Sequence, residues 1–242
     1  RPRFTARDAI QLYRERGDKI FEHSFLQTIR SLGGIIEEKY QATALEEILE
    51  TYLRDLKLSD LLKPCLITAY DIEKRGAKFF TQHDAVKDNS QDFFLRHVAR
   101  ATSAAPYYFE TAKIESAANV PYPLIDGGVF ANNPALCAYA EVRHKFPKKP
   151  AAKDMVILSL GTGYIEKKYS YEKARNWGAI GWIRPLIDIM MTGVSETVDY
   201  QLNQIFDSIG KREQYLRINS VLEFASPELD DTSTNNLANL QK

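Results

Sequence analysis

Helical and strand-like stretches alternate along these 242 residues, and that alternation predicts an α/β fold. Two further observations support it. The run D-M-V-I-L-S-L-G-T-G, residues 154 to 163, reads as a fully buried strand ending in a glycine loop, as strands between helical layers do. No linker, low-complexity segment or internal repeat divides the chain, so a single domain over residues 1–242 is expected. With 44% hydrophobic and 26% charged residues, the chain can fill one sizeable core.

Taken in order, Thr5-Ala-Arg-Asp8 reads as a capping box opening a helix through Tyr13 to about Arg16, ended by Gly17. Thr43-Ala-Leu-Glu46 reads as a cleaner box. Behind it Leu45, Ile48, Leu49, Tyr52, Leu53 and Leu56 recur at helical spacing and make one apolar face. Pro64 breaks the chain before a strand, C-L-I-T-A-Y-D-I, and Gly76 introduces a second, A-K-F-F-T. A helix is expected from Gln91 to about Ala101, and then a strand approaching Leu124-Ile125. After a D-G-G turn, Asn133 caps a helix whose first position is Pro134. A long helical region, Tyr171 to Ile209, is expected to break near Gly178 and Gly181. The strand Q-Y-L-R-I-N and a polar tail with E-L-D-D-T-S follow.

Charge and cysteine content exclude several classes of function. The formal net charge is zero, from 32 basic and 32 acidic residues, which gives no electrostatic case for nucleic acid or an anionic membrane. The basic run His144 to Lys153 reads as a solvated loop. Cys65 and Cys137 have no partner spacing and read as small buried hydrophobes, with neither a disulfide nor a metal site implied. The apolar stretch Gly178 to Val198 carries Arg184, Asp188 and Glu196, so it is not a membrane span. No signal-peptide pattern is evident, and a cytoplasmic setting is the expectation.

The residue types that could carry chemistry are few. Asp126 stands at the end of an apolar run and is followed by Gly127 and Gly128. It has two readings: an aspartate in a strand-to-loop turn, or a carboxylate projecting from a strand end, where it can accept a proton from a nucleophilic hydroxyl and later activate water. The glycines of L-S-L-G-T-G could cradle a phosphate, but neither G-x-G-x-x-G nor G-x-x-x-x-G-K-[ST] is present, and a tight loop is the better reading. Ser103, in A-T-S-A-A-P-Y-Y-F, has no glycine-flanked elbow and is rejected as a nucleophile. His23, His83, His97 and His144 have no ligand spacing, which disfavours zinc and a histidine-based triad. Trp177, Trp182, Met190 and Met191 read by default as core; a lipid-facing patch is the other reading.

Five short motifs gain meaning from their order: A-T-S-A-A-P-Y-Y-F, L-I-D-G-G-V-F-A-N-N-P-A, I-L-S-L-G-T-G, W-G-x-x-G-W and E-L-D-D-T-S. Over about Ala101 to Ser233 this succession resembles the patatin-like phospholipase family, and F-T-A-R-D-A-I-Q-L-Y-R-E-R-G-D-K-I-F resembles the helix after that family's nucleophile segment. The resemblance implies a three-layer α/β/α, lysophospholipase-like fold and a serine–aspartate dyad that hydrolyses acyl esters of lipids, with no cofactor and no metal. It makes Asp126 the dyad's base and Gly127 and Gly128 the motif's glycines. Phospholipid or another acyl lipid is the implied partner, with transient contact at a membrane surface.

The departure from the family pattern is large. No serine stands in G-x-S-x-G, Ser195 in G-V-S-E-T being the nearest miss, and no G-G-G-x-R-G exists, Gly33-Gly34 being the closest. The resemblance thus makes these residues the C-terminal portion of the domain, with the oxyanion loop and nucleophile upstream of Arg1. Unpaired strand edges and uncovered apolar faces are the expected consequence, and stable folding and activity of these residues alone are not expected. The alternative is a non-catalytic lipid- or acyl-binding pseudoenzyme. A nucleotide-binding protein using L-G-T-G is a remoter third reading.

Overall fold

A computed structural model describes residues 5–22, 39–166 and 168–241. The first helix, α1 (Ala6–Ile20), opens on the expected box: Thr5 Oγ1 accepts from the Asp8 N–H at 3.2 Å, and Asp8 accepts from the Thr5 N–H at 2.7 Å. Gly17 does not end it. A Cβ there would sit 2.8 Å from Thr232 Cγ2, so the missing side chain admits the C-terminal segment against the helix. α2 (Thr43–Leu53) forms as expected, but the second box does not. Its cap is Ala42, with no side-chain bond, because Glu46 instead accepts from Arg100 Nε at 3.1 Å.

The main sheet is antiparallel. β1 (Leu66–Asp71) and β2 (Gly76–Thr81) pair around a turn, followed by α3 (Gln82–Ala85) and α4 (Leu95–Thr102). β3 (Ala112–Glu115) and β4 (Pro121–Asp126) complete the order β2-β1-β4-β3. β4 lies inside the sheet, with Ala69 of β1 opposite Asp126 and Ala112 of β3 opposite Leu124. Leu58, Phe80, Phe93, Val98 and Leu124 are fully buried beneath it, and Phe80 meets Phe93 edge-to-face at 5.0 Å.

After the sheet come α5 (Gly128–Ala131), α6 (Ala135–Lys145), β5 (Ile157–Leu160), α7 (Tyr171–Ala174), α8 (Ala179–Ser208), β6 (Tyr215–Ile218) and α9 (Thr234–Asn239). β5 and β6 pair in parallel as a second, two-stranded sheet. Leu202 and Phe206 of α8, Tyr139 of α6, Met155 and Tyr215 form its core. The result is a mixed α/β fold, consistent with the patatin-like architecture.

Two expectations are corrected here. β5 is not fully buried: Ser159 points inward, while Leu158 and Leu160 are exposed, Leu160 by 68%. Strand alternation forces this once polar partners claim the inner face. Nor is the tryptophan–methionine stretch core: Trp182 and Met190 are exposed, together with Ile180, Ile183, Leu186 and Ile187. The helical break falls at residues 175–178, and Gly181 lies inside α8.

The two ends of the chain are tied together. Asp230 accepts from the Lys39 ammonium and from Tyr40 Oη, the latter at 2.5 Å. Tyr13 Oη donates to the Leu229 carbonyl at 2.7 Å, and Thr232 Oγ1 to Asp18 at 2.6 Å. The E-L-D-D-T-S segment is therefore a clasp over α1 and the strand-like residues before α2.

Candidate active site

Asp126 is the last residue of β4. Its N–H is fixed by the Ala104 carbonyl at 3.0 Å, just after α4. Gly127 must be glycine: a Cβ would fall 2.2 Å from Thr68 Oγ1 and 2.3 Å from the Thr68 carbonyl on β1. Thr102 Oγ1 donates to that same carbonyl at 2.7 Å, so β1, α4 and the turn interlock. Gly128 opens α5, and its N–H donates to Asp126 Oδ1 at 2.6 Å. A Cβ on Gly128 would lie 3.1 Å from that oxygen and 3.6 Å from Met191 Cε. The two glycines thus let the carboxylate fold back over a backbone donor without a steric rival. The turn reading of Asp126 is met, and the turn sets where its carboxylate points.

Partial burial pushes the Asp126 carboxyl above its ordinary value of 3.8, opposed by the Gly128 hydrogen bond. A carboxylate raised toward neutrality is a better proton acceptor in catalysis than an exposed aspartate.

The N-N-P residues hold the far end of the loop. Asn132 Nδ2 donates to the Met191 carbonyl at 3.3 Å, and Asn133 Nδ2 to the Ser195 carbonyl at 3.4 Å, one turn later on α8. Asn133 Oδ1 accepts from the Ala135 N–H at 3.2 Å across a turn, but the cap of the following helix is Pro134, which makes no side-chain cap bond: Asn133 stands one position before the cap and Pro134 one position before the first helical residue. The same oxygen accepts from Ser159 Oγ at 3.2 Å. Arg217 of β6 spans the remainder, donating to Ser159 Oγ at 2.7 Å and to Ser195 Oγ at 2.9 Å.

The model for the patatin-like phospholipase family matches residues 5–139, more than half of the chain and all of the D-G-G loop. The chain belongs to the patatin-like phospholipase family. Among curated proteins it is similar to patatin-like protein 3 of Arabidopsis thaliana, 31% identical over 245 residues, which cover 90% of this chain and 56% of that protein. Patatin-like protein 1 of the same plant is 31% identical over 266 residues, covering 100% of this chain and 64% of the relative. Another relative is named "Probable inactive patatin-like protein 9", also from Arabidopsis thaliana; it is 32% identical over 227 residues, covering 90% of this chain and 57% of its own. The chain spans less than two thirds of the length of each of these three relatives.

Within this patatin-like chain the other candidates fall into structural roles. Ser103 Oγ donates to the Ala99 carbonyl at 2.6 Å at the end of α4. Ser195 lies in the interior of α8, bound to Arg217, and not on an elbow. The two glycine amides of L-G-T-G are committed to the end of β6 and the residue after it: Gly161 N–H donates to the Ile218 carbonyl at 2.8 Å and Gly163 N–H to Asn219 Oδ1 at 3.0 Å. That is the tight-loop reading of the motif. His83 faces Glu141 at 3.8 Å, and burial lowers the His97 imidazole; neither is near the Asp126 loop in sequence or in hydrogen bonding. Among the described residues, no cluster of three or more His, Cys, Asp or Glu side chains could hold a metal ion, and no helix is long and apolar enough to cross a membrane. His23 and Gly33-Gly34 lie outside the described residues. Sequence reading missed Ser159 and Arg217 altogether.

Proposed function

We propose that this chain supplies the base of a lipid acyl hydrolase that acts through a serine–aspartate dyad. The carrying observation is the half-buried Asp126 carboxylate, held at a strand end by the Gly128 N–H and raised above its ordinary value. In this reading Asp126 accepts the proton of a serine hydroxyl as the oxygen attacks the acyl carbonyl of a phospholipid or another acyl lipid. The tetrahedral intermediate collapses, the alcohol leaves with that proton, and an acyl-enzyme remains. Asp126 then takes a proton from water, hydroxide attacks the acyl carbon, and the fatty acid is released with the serine restored.

The attacking serine is placed outside these 242 residues. That placement is supported by the lack of any G-x-S-x-G and by the Asp126 carboxylate, whose hydrogen bond among the described residues comes from Gly128 alone. The rest of the reading is a single patatin-like domain, no metal or cofactor in the reaction, transient contact with a membrane surface, and a cytoplasmic location.

The test is fatty-acid release from phospholipid vesicles by the full-length protein and its Asp126→Asn variant. Turnover should be abolished in the variant while its circular dichroism is unchanged; near-normal release would overturn the assignment. Binding of acyl lipid without release by the unaltered protein would instead establish the pseudoenzyme.

A further inference from the structure

The Asp126 loop is anchored twice. At its start, Asp126 is fixed by the Ala104 carbonyl and Gly127 is wedged on Thr68. At its end, Asn133 is 2% exposed and its side chain makes three hydrogen bonds: to the Ser195 carbonyl, from the Ala135 N–H and from Ser159 Oγ. Ser159 is itself 5% exposed and is held by Arg217, which forks to Ser195. A buried polar network of this kind costs desolvation free energy that a hydrophobic replacement would avoid, so its gain lies in fixing one geometry. What it fixes is the six-residue span between Asp126 and Asn133, and within that span the group hydrogen-bonded to the carboxylate is the Gly128 N–H.

We propose that Asn133, locked by Ser159 and Arg217, is a positioning residue that holds the Gly128 N–H against the Asp126 carboxylate. The proposal rests on the hydrolase reading above for its kinetic consequence, but its structural consequence is readable without turnover. If the lock is loosened, the Gly128 N–H drifts from Oδ1. The carboxylate then loses the contact that stabilises its charged form, while burial, which disfavours that form, persists. Asp126 must titrate at higher pH. Burial and the Gly128 hydrogen bond set the Asp126 value; the charged and titratable groups of the surrounding elements, Tyr70 and Asp71 on β1, Arg96, His97 and Arg100 on α4, and Asp188 and Glu196 on α8, are not among its causes.

The experiment uses the full-length protein with Ser159→Ala, and Ser159→Thr as the variant that restores the hydroxyl. Carbon-13 NMR follows the Asp126 carboxylate through its titration, and release of fatty acid from phospholipid vesicles gives kcat, KM and the acid limb of the pH profile. Ser159→Ala should move the carboxylate titration upward, shift the acid limb the same way and lower kcat about tenfold or more at nearly constant KM. Ser159→Thr should recover all three. A folded Ser159→Ala protein with an unchanged Asp126 titration overturns the proposal, whatever its thermal stability. If Ser159→Ala fails to fold, Arg217→Met removes the donor to Ser159 and carries the same two outcomes. Absence of turnover in the unaltered protein would sink the hydrolase reading alone, because the titration still reports the lock.

Discussion

The four-stranded sheet and the β5–β6 pair treat the same kind of residue in opposite ways. In the first, β4 has a neighbour on each side, and Phe80, Phe93, Val98 and Leu124 are sealed from solvent. In the second, β5 pairs with β6 alone among the described residues, and Leu158, Leu160, Leu216 and Ile218 face outward, as does the first half of α8. The second region buries apolar groups only where Leu202 and Phe206 of α8 pack on Tyr139, Met155 and Tyr215. Stability is therefore concentrated in the sheet that ends at Asp126, and the β5–β6 region contributes chiefly a polar lock. The difference teaches that hydrophobic composition does not locate a core; strand neighbours do.

Removing a large side chain from the sealed region should have the greatest effect. Phe80→Ala empties a site with 1% exposure and should cost about 3–5 kcal/mol in a denaturation experiment. A loss below about 1 kcal/mol would break the contrast between the regions.

The carboxylate at the sheet's end should respond next. The folded-state value of Asp126 is raised above 3.8, so the folded protein binds the proton more tightly than the unfolded chain. Its contribution to stability is therefore intact below about 3.8 and is lost as pH rises through the raised folded value. Asp126→Asn, which keeps the oxygen that accepts from Gly128, should match the unaltered protein in Tm below that window and exceed it at neutral pH. A Tm difference independent of pH would mean that burial does not set the titration.

The smallest effect belongs to the open region. Leu160→Ser replaces an outward side chain with 68% exposure and should change stability by no more than about 0.5 kcal/mol. A cost comparable to that of Phe80→Ala would show Leu160 to be covered in the folded protein in solution.

Much of the main sheet was legible in the sequence because its signals are local. Pro64 stands just before β1, Gly76 opens β2, and the D-G-G turn marks the end of β4. β3 escaped notice because A-K-I-E is four residues long, too short for alternation to stand out. The inward Ser159 could not be read from an apolar run, since the residues that claim it come from other elements: Asn133 26 positions before it and Arg217 58 positions after. The same holds for the second capping box, where Glu46 is drawn off its own helix start by Arg100, 54 positions away. Asp126 and its glycines were readable as a turn, and the order of motifs pointed to chemistry. The Thr68 wedge that makes Gly127 obligatory is a tertiary contact with no local trace.

The clasp of E-L-D-D-T-S over α1 has a kinetic meaning. Its bonds join residues 214 and 216 positions apart, Asp18 to Thr232 and Tyr13 to Leu229. Closing so long a loop carries a larger entropic penalty than any hairpin in the sheet, growing by about 0.6 kcal/mol with each doubling of length. The clasp can close only after the intervening elements have drawn the ends together, so it belongs to the last stage of folding and to the first stage of unfolding. A protease meeting this molecule in its native state would find its opening at the clasp, well before the strands around Asp126 part.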